Sequence, residues 1–403
     1  MTTTEEVNEP IPLVVVQGFL SSAGAYFWGD FGDYLNKDGP RRRTIFVSVG
    51  PVSSLHDRAC ELYYALMGGT ADYGAEHSKI HNHARYGRHV EHGQYPEWSP
   101  NRPLHFLGHS MGGPTIIKLQ SLIKQGHFGS EVHPRMILSV NTISAPFRGT
   151  QAVYLLGERV DGAPAVRPLS VGAFVGRTAH ILSFLSPFLP PALDMHADCR
   201  SLTYRDASLL SLLKQLWRSD WAESRDVTPF DTTFQAADER ESDGEGYTEP
   251  ETFYRSHVAV MTRRNSLGNF HSPSMYRITS PFMYFFARRL GNFDFSTLRP
   301  RPSFLDHDSK SLGEEFWAND GVVPVFSQWH PHPCSRTRCQ HEGKKANDVL
   351  EPGIWYVKSP EEDTHHLSIV PRWTATDLQR RFWVDLGQWL TSVEGTRRKS
   401  NTV

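Results

Sequence analysis

Three short apolar runs punctuate the first part of the chain: the β-branched Leu13-Val14-Val15-Val16-Gln17 ending at Gly18, Thr44–Val49 of the same pattern, and Leu104–Leu107. Runs this short, without polar alternation, predict strands buried on both faces of a parallel sheet. Between the first two, Phe31, Tyr34 and Leu35 fall at helical spacing, so the chain opens as alternating strand and helix. Ile116, Leu119, Leu122 and Ile123 then recur with a helical period, with Pro114 near the start and Gly126 past the end. Met136–Val140, Val258–Met261 and Ile354–Val357 are further expected strands, and a helix over Leu378–Leu390 is expected to close the fold.

Two stretches leave this plan. Residues 51–98 are rich in His, Tyr and Gly, and Val166–Asp231 is an apolar, helix-like stretch followed by a charged one. Neither has low-complexity flanks, so both are expected as excursions from a single domain spanning residues 1–403. Gly395–Val403 is basic and polar and is expected to fray.

The 403 residues, 39% of them hydrophobic, suffice for a large core without covalent staples. A net charge of -2, with the signs interspersed, provides no basic field for nucleic acid. Met1–Pro10 is polar and acidic and lacks the order of a secretory signal, which makes a cytoplasmic location the expectation. The most apolar segment, Leu182–Leu193, is broken by Ser183, Ser186, Pro187, Pro190 and Pro191, so no transmembrane helix is expected. Four scattered cysteines do not make a disulfide scaffold. Cys334 and Cys339 lie near His330, His332 and His341 and leave three outcomes open: a disulfide, a metal site, or neither. The spacing matches no strong zinc signature and favours neither.

Gly108-His109-Ser110-Met111-Gly112 stands between the third apolar run and the helix that follows. Strand, sharp turn and helix is the context in which G-x-S-x-G presents a serine nucleophile, and it predicts an α/β-hydrolase fold with a mostly parallel central sheet. That fold orders its acid and base after the serine. His366, in Asp363-Thr364-His365-His366-Leu367, is the expected base, because this segment holds the only histidines after His341. Asp320, in the turn Asn319-Asp320-Gly321, is the expected acid, with Asp306 or Asp308 as fallback. The backbone amides of Phe19 and Met111 are the expected oxyanion donors. His77, His81, His83, His89 and His92 lie close together, with Asp57 upstream. By residue type alone a polar His-rich loop outweighs a zinc site, since no H-E-x-x-H or C-x-x-C pattern appears.

The chain resembles the bacterial lipases of thermophilic bacilli and staphylococci. The resemblance rests on Val15-Val16-Gln17-Gly18-Phe19, Asp57-Arg58-Ala59-Cys60-Glu61, Gly68-Gly69-Thr70-Ala71-Asp72-Tyr73-Gly74-Ala75 and His83-Ala84-Arg85-Tyr86-Gly87. It continues in Gly108-His109-Ser110-Met111-Gly112-Gly113, Ser144-Ala145-Pro146, Asn319-Asp320-Gly321-Val322-Val323-Pro324 and His366-Leu367. It implies a lipase with Ser110, Asp320 and His366 as triad and a structural zinc on Asp57, His77, His83 and Asp226, the last a few residues before Phe230-Asp231. This reverses the reading of the histidines as a plain loop. At the family's calcium site this chain carries Ser368 and Trp373 in place of acidic residues, which speaks against calcium. Leu169–Leu193 falls where relatives carry a helical lid, and Phe174, Ile181, Leu182, Phe184, Leu185, Phe188 and Leu189 are expected over the serine. A short-chain carboxylesterase and a catalytically silent binding relative remain the alternatives to a lipase, with transient contact to a lipid interface expected of the lipase.

Overall fold

Among the described residues, seven parallel strands make the central sheet: β1 (Leu13–Val16), β2 (Thr44–Val47), β3 (Leu104–His109), β4 (Ile137–Ile143), β5 (Phe253–His257), β6 (Cys339–His341) and β7 (Trp355–Val357). Their spatial order is β6-β7-β5-β4-β3-β1-β2, every pairing parallel. The computed structural model describes residues 9–19, 28–29, 31–190, 193–219, 223–266, 270–273, 281–305, 312–342, 350–370 and 375–401. The expected features at 1–8, Asp306, Asp308 and Trp373 lie outside the described residues.

Six helices place the layers and the site: α1 (Gly32–Leu35), α2 (Leu55–Met67), α3 (Gly112–Lys124), α4 (Val171–Leu185), α5 (Leu209–Trp217) and α6 (Asp377–Asn401). Side chains of a strand alternate between faces. Val14 and Val16 therefore meet Leu62 and Leu66 of α2 and Ile116 and Leu119 of α3 on one side of the sheet. Leu13 and Val15 meet Leu35 of α1 and Trp383, Leu386 and Leu390 of α6 on the other. Both faces being covered explains why β1, β3 and β4 are buried along their whole length.

The structure departs from the expectations in four places. The strand expected at Val258–Met261 lies upstream, as β5, and only Ala259–Val260 of that run pairs, with Glu361–Glu362. Residues 339–341 form edge strand β6, which was not among the expected strands. The stretch 51–98 begins with α2, the layer helix between β2 and β3, so only its later part leaves the sheet plan, as the helix Ala75–His81 and the antiparallel pair Gly69–Asp72 and Tyr86–Val90. Finally, α6 continues to Asn401 and does not fray at Gly395. Arg397 donates to the Pro100 carbonyl at 3.1 Å, and Arg398 and Lys399 sit in the last turn, where positive charge offsets the helix dipole. Among the described residues, no helix is long and apolar enough to cross a membrane.

Candidate active site

Strand β3 delivers Ser110 onto a sharp turn before α3, and the serine has φ 54°. The left-handed region is costly for a residue with a side chain and persists only where the surroundings enforce it. They do so here through contact: a Cβ on Gly112 would sit 2.0 Å from the Val16 carbonyl oxygen, so only glycine lets α3 start against β1. The Ser110 amide is tied to the Ile143 carbonyl at 2.9 Å. A Cβ on Gly18 would lie 2.7 Å from Cβ of Ser110, which brings the loop after β1 directly against the serine.

That loop is held by a residue whose role the sequence did not reveal. Arg58 of α2 is fully buried and donates to the carbonyls of Gln17 and Gly50 and to Oγ1 of Thr115. Burial pulls its guanidinium down to about 10, against the charges of Glu61 and Asp231. A buried arginine is unreadable from composition, and Arg58 was visible only as part of a family block.

Asp320 and His366 meet as expected. His366 Nδ1 donates to Oδ2 of Asp320 at 2.9 Å, and the His366 amide donates to the Asp320 carbonyl at 2.9 Å. Oδ1 of Asp320 accepts the amides of Val322 and Val323 at 2.9 and 2.7 Å, so the carboxylate is oriented by its own turn. With Nδ1 committed to the carboxylate, Nε2 is left as the basic nitrogen. His109 donates through Nε2 to the His366 carbonyl at 2.9 Å, and the two rings stand 5.0 Å apart. Burial, then the His366 charge, pulls His109 down to about 4, so it is a neutral donor.

Ser110, Phe19 and Met111 line one pocket whose remaining walls are mostly apolar. Met111 precedes the first turn of α3, where amides have no carbonyl partner within the helix. The segment expected as a lid contributes α4 to the pocket wall, but not with the large side chains expected over the serine. Helix α4 turns Gly172, Val175, Gly176 and Ala179 to the pocket, while Phe174, Ile181, Leu185 and the following Phe188 are exposed. Small residues let α4 approach, a Cβ on Gly172 already meeting the Leu156 carbonyl at 3.1 Å. On α5, Leu209, Leu210, Leu213 and Trp217 are exposed as well.

Asp57, His77, His83 and Asp226 also come together, each offering a ligand atom within 4.8 Å of the others. His77 Nε2 lies 3.2 Å from Oδ1 of both aspartates. Nδ1 of His83 donates to the Ala84 carbonyl at 2.8 Å, which turns Nε2 towards Oδ2 of Asp226 at 3.4 Å. That Nε2 and Oδ1 of Asp226 are buried without a hydrogen-bond partner. Burial, then the Asp226 charge, pushes the Asp57 carboxyl up. A lone pair facing carboxylates, beside two carboxylates facing each other, is a donor set that fits a cation. Arg200 occupies the outer oxygens, Oδ2 of Asp57 and Oδ2 of Asp226.

A family model described as the lipase-like C-terminal domain matches residues 12–177. The chain is 26% identical to Lipase 1 of Staphylococcus aureus, over 95% of this chain and 55% of that protein. It is 28% identical to a lipase of Staphylococcus hyicus, over 89% of this chain and 53% of the relative. The crystal structure of Staphylococcus hyicus lipase matches at a TM-score of 0.73 and 25% identity, covering 100% of both chains. The chain is similar to the staphylococcal lipases along most of its length. EstA from Clostridium botulinum is a further structural neighbour, at a TM-score of 0.70 and 26% identity, covering 95% of this chain and 88% of EstA. The chain spans about half the length of the curated staphylococcal lipases it matches. The parallel central sheet is of the α/β-hydrolase type, in agreement with the match to the Staphylococcus hyicus lipase structure.

Proposed function

We propose that the chain is a serine-dependent carboxylic ester hydrolase, a lipase cleaving acylglycerols or other apolar acyl esters. Ser110 Oγ attacks the ester carbonyl, and His366 Nε2 takes the proton and returns it to the leaving alcohol. Asp320 orients the imidazole and stabilises its charged form. The amides of Phe19 and Met111 donate to the tetrahedral oxyanion. Water, activated by the same histidine, then cleaves the acyl-enzyme. The observation that carries this reading is the buried His366–Asp320 bond joined through His109 to a serine held at φ 54° beside an apolar pocket.

Asp57, His77, His83 and Asp226 would hold a zinc ion as a structural cross-link, since four protein ligands leave no position for water. It would tie α2 and the helix Ala75–His81 to the segment before Val227. The outward apolar faces of α4 and α5 support transient contact with a lipid interface.

The test is hydrolysis of p-nitrophenyl esters of increasing acyl length, together with emulsified triacylglycerol. Ser110→Ala is expected to abolish turnover and fluorophosphonate labelling while leaving the circular dichroism unchanged; persistent activity would refute the assignment. Activity confined to short soluble esters would favour a carboxylesterase. An active site that takes no fluorophosphonate in the folded wild type would favour a silent binding relative.

A further inference from the structure

A second cluster of metal-ligand type stands at the edge of the sheet, among the residues the sequence left open. One ligand atom from each of His330, Cys334, Cys339 and His341 lies within 4.8 Å of every other. Cys334 Sγ is 3.6 Å from His330 Nε2 and 3.5 Å from His341 Nε2. Neither cysteine is in a disulfide. From these positions we infer a second metal site, a closed Cys2His2 zinc centre.

The separations carry the inference. Zinc binds thiolate sulfur at about 2.3 Å and imidazole nitrogen at about 2.0–2.1 Å, and a tetrahedral angle between them sets the sulfur and nitrogen about 3.6 Å apart. Both Cys334–imidazole separations match that edge. A neutral S–H to nitrogen contact explains one such distance, but not four donor atoms all within 4.8 Å of one another.

The tautomer agrees. His330 Nδ1 lies 3.1 Å from the Pro331 carbonyl oxygen, which can only accept, so Nδ1 carries the proton and Nε2 points its lone pair at the cluster. Metal-bound histidines are oriented by this kind of outer hydrogen bond. His330 is 1% exposed, which fixes its ring, whereas Cys334 is exposed and gives an ion an entry path.

The topology supplies the rest. Cys339 and His341 are two apart on β6 and so project from the same face of the strand. His330 directly follows the helix Val325–Trp329, and Cys334 lies in the loop between. An ion would therefore clamp a three-residue edge strand to the turn that leaves the helix behind Asp320. Two thiolates balance the charge of a divalent ion, and binding releases two thiol protons to solvent. The soft sulfurs select zinc over calcium or magnesium. With four protein ligands the site is structural and takes no part in ester cleavage.

The experiment uses the full chain, purified under reductant without chelator, and reads metal alone. Elemental analysis is expected to give two zinc per chain in the wild type, one in Cys334→Ser, and one in Asp57→Ala. Cobalt exchanged into the protein is expected to show thiolate-to-metal absorption in the near ultraviolet. That band should be lost in Cys334→Ser and kept in Asp57→Ala. The wild-type cobalt spectrum decides the question even where a variant folds poorly. Absence of the band in folded, reduced wild type would overturn the site. So would zinc content unchanged by Cys334→Ser, or a Cys334–Cys339 disulfide in zinc-supplemented protein. Because no activity is read, none of these outcomes bears on the proposed ester hydrolysis.

Discussion

The imidazole of His109 and the backbone of His366 are joined by a single hydrogen bond of 2.9 Å, so the residue in front of the candidate nucleophile fixes the loop of the candidate base. His109→Phe keeps a ring of similar size and removes the donor. The expected result is a fall in kcat of about 10–100-fold at nearly unchanged KM, because a small misplacement of the base costs rate and leaves acyl binding intact. An equal loss in KM alone would show that His109 shapes the pocket instead.

Asp320→Asn separates orientation from packing. The amide oxygen can still accept from Val322 and Val323, but the amide nitrogen then faces His366 Nδ1 and enforces the wrong tautomer. Steady-state hydrolysis should fall by about 10⁴-fold, with the melting temperature nearly unchanged. A variant with more than a tenth of wild-type kcat would remove Asp320 from the triad.

Glu158 lies in the pocket wall, where burial, then the Glu223 charge, raises its carboxyl to about 7 against a bond from the Ala165 amide. The folded chain thus keeps a proton that the unfolded chain loses from pH 4.5 upwards. Stability from this group is therefore full below that pH and is lost as pH rises towards 7. Glu158→Gln should raise the melting temperature at pH 8, by a free energy of at most about 3 kcal/mol, and have little effect at pH 5. Equal effects at both pH values would contradict the assigned shift.

Asp57→Ala removes one ligand of the aspartate–histidine cluster and leaves its partners facing each other. Metal analysis should show the loss of one equivalent per chain, with a lower melting temperature that added zinc does not restore. His83→Ala should behave alike. Unchanged metal content in both variants would dissociate these residues from any ion.

Features set by local sterics were legible in the sequence, and features completed by distant partners were not. The turn at Ser110 could be read because Gly112 and the apolar run of β3 are contiguous with it. Strand β1 announced itself because both its faces are apolar, and β3 and β4 through their Leu, Ile, Val and Phe residues, although His105, Ser139 and Asn141 are buried among them. Strand β5 was hidden by Arg255, Ser256 and His257, of which Arg255 is buried against Asp385 at 2.6 Å, 130 positions away, and Ser256 against the Trp329 carbonyl. Strand β6 reads Cys-Gln-His and carries no strand signal at all. For α4 the residue pattern predicts an apolar helix but not which side faces the pocket, since both its small and its large residues are apolar.

The sheet stops at β6, and three residues is a short edge. An open strand edge is a template for pairing with another chain, and brevity limits that hazard. Were β6 to lift away, the bare rim would be β7, with Trp355 and Val357 no longer shielded. Damage at this corner of the molecule should therefore surface first as lost solubility at high concentration, well before any loss of turnover.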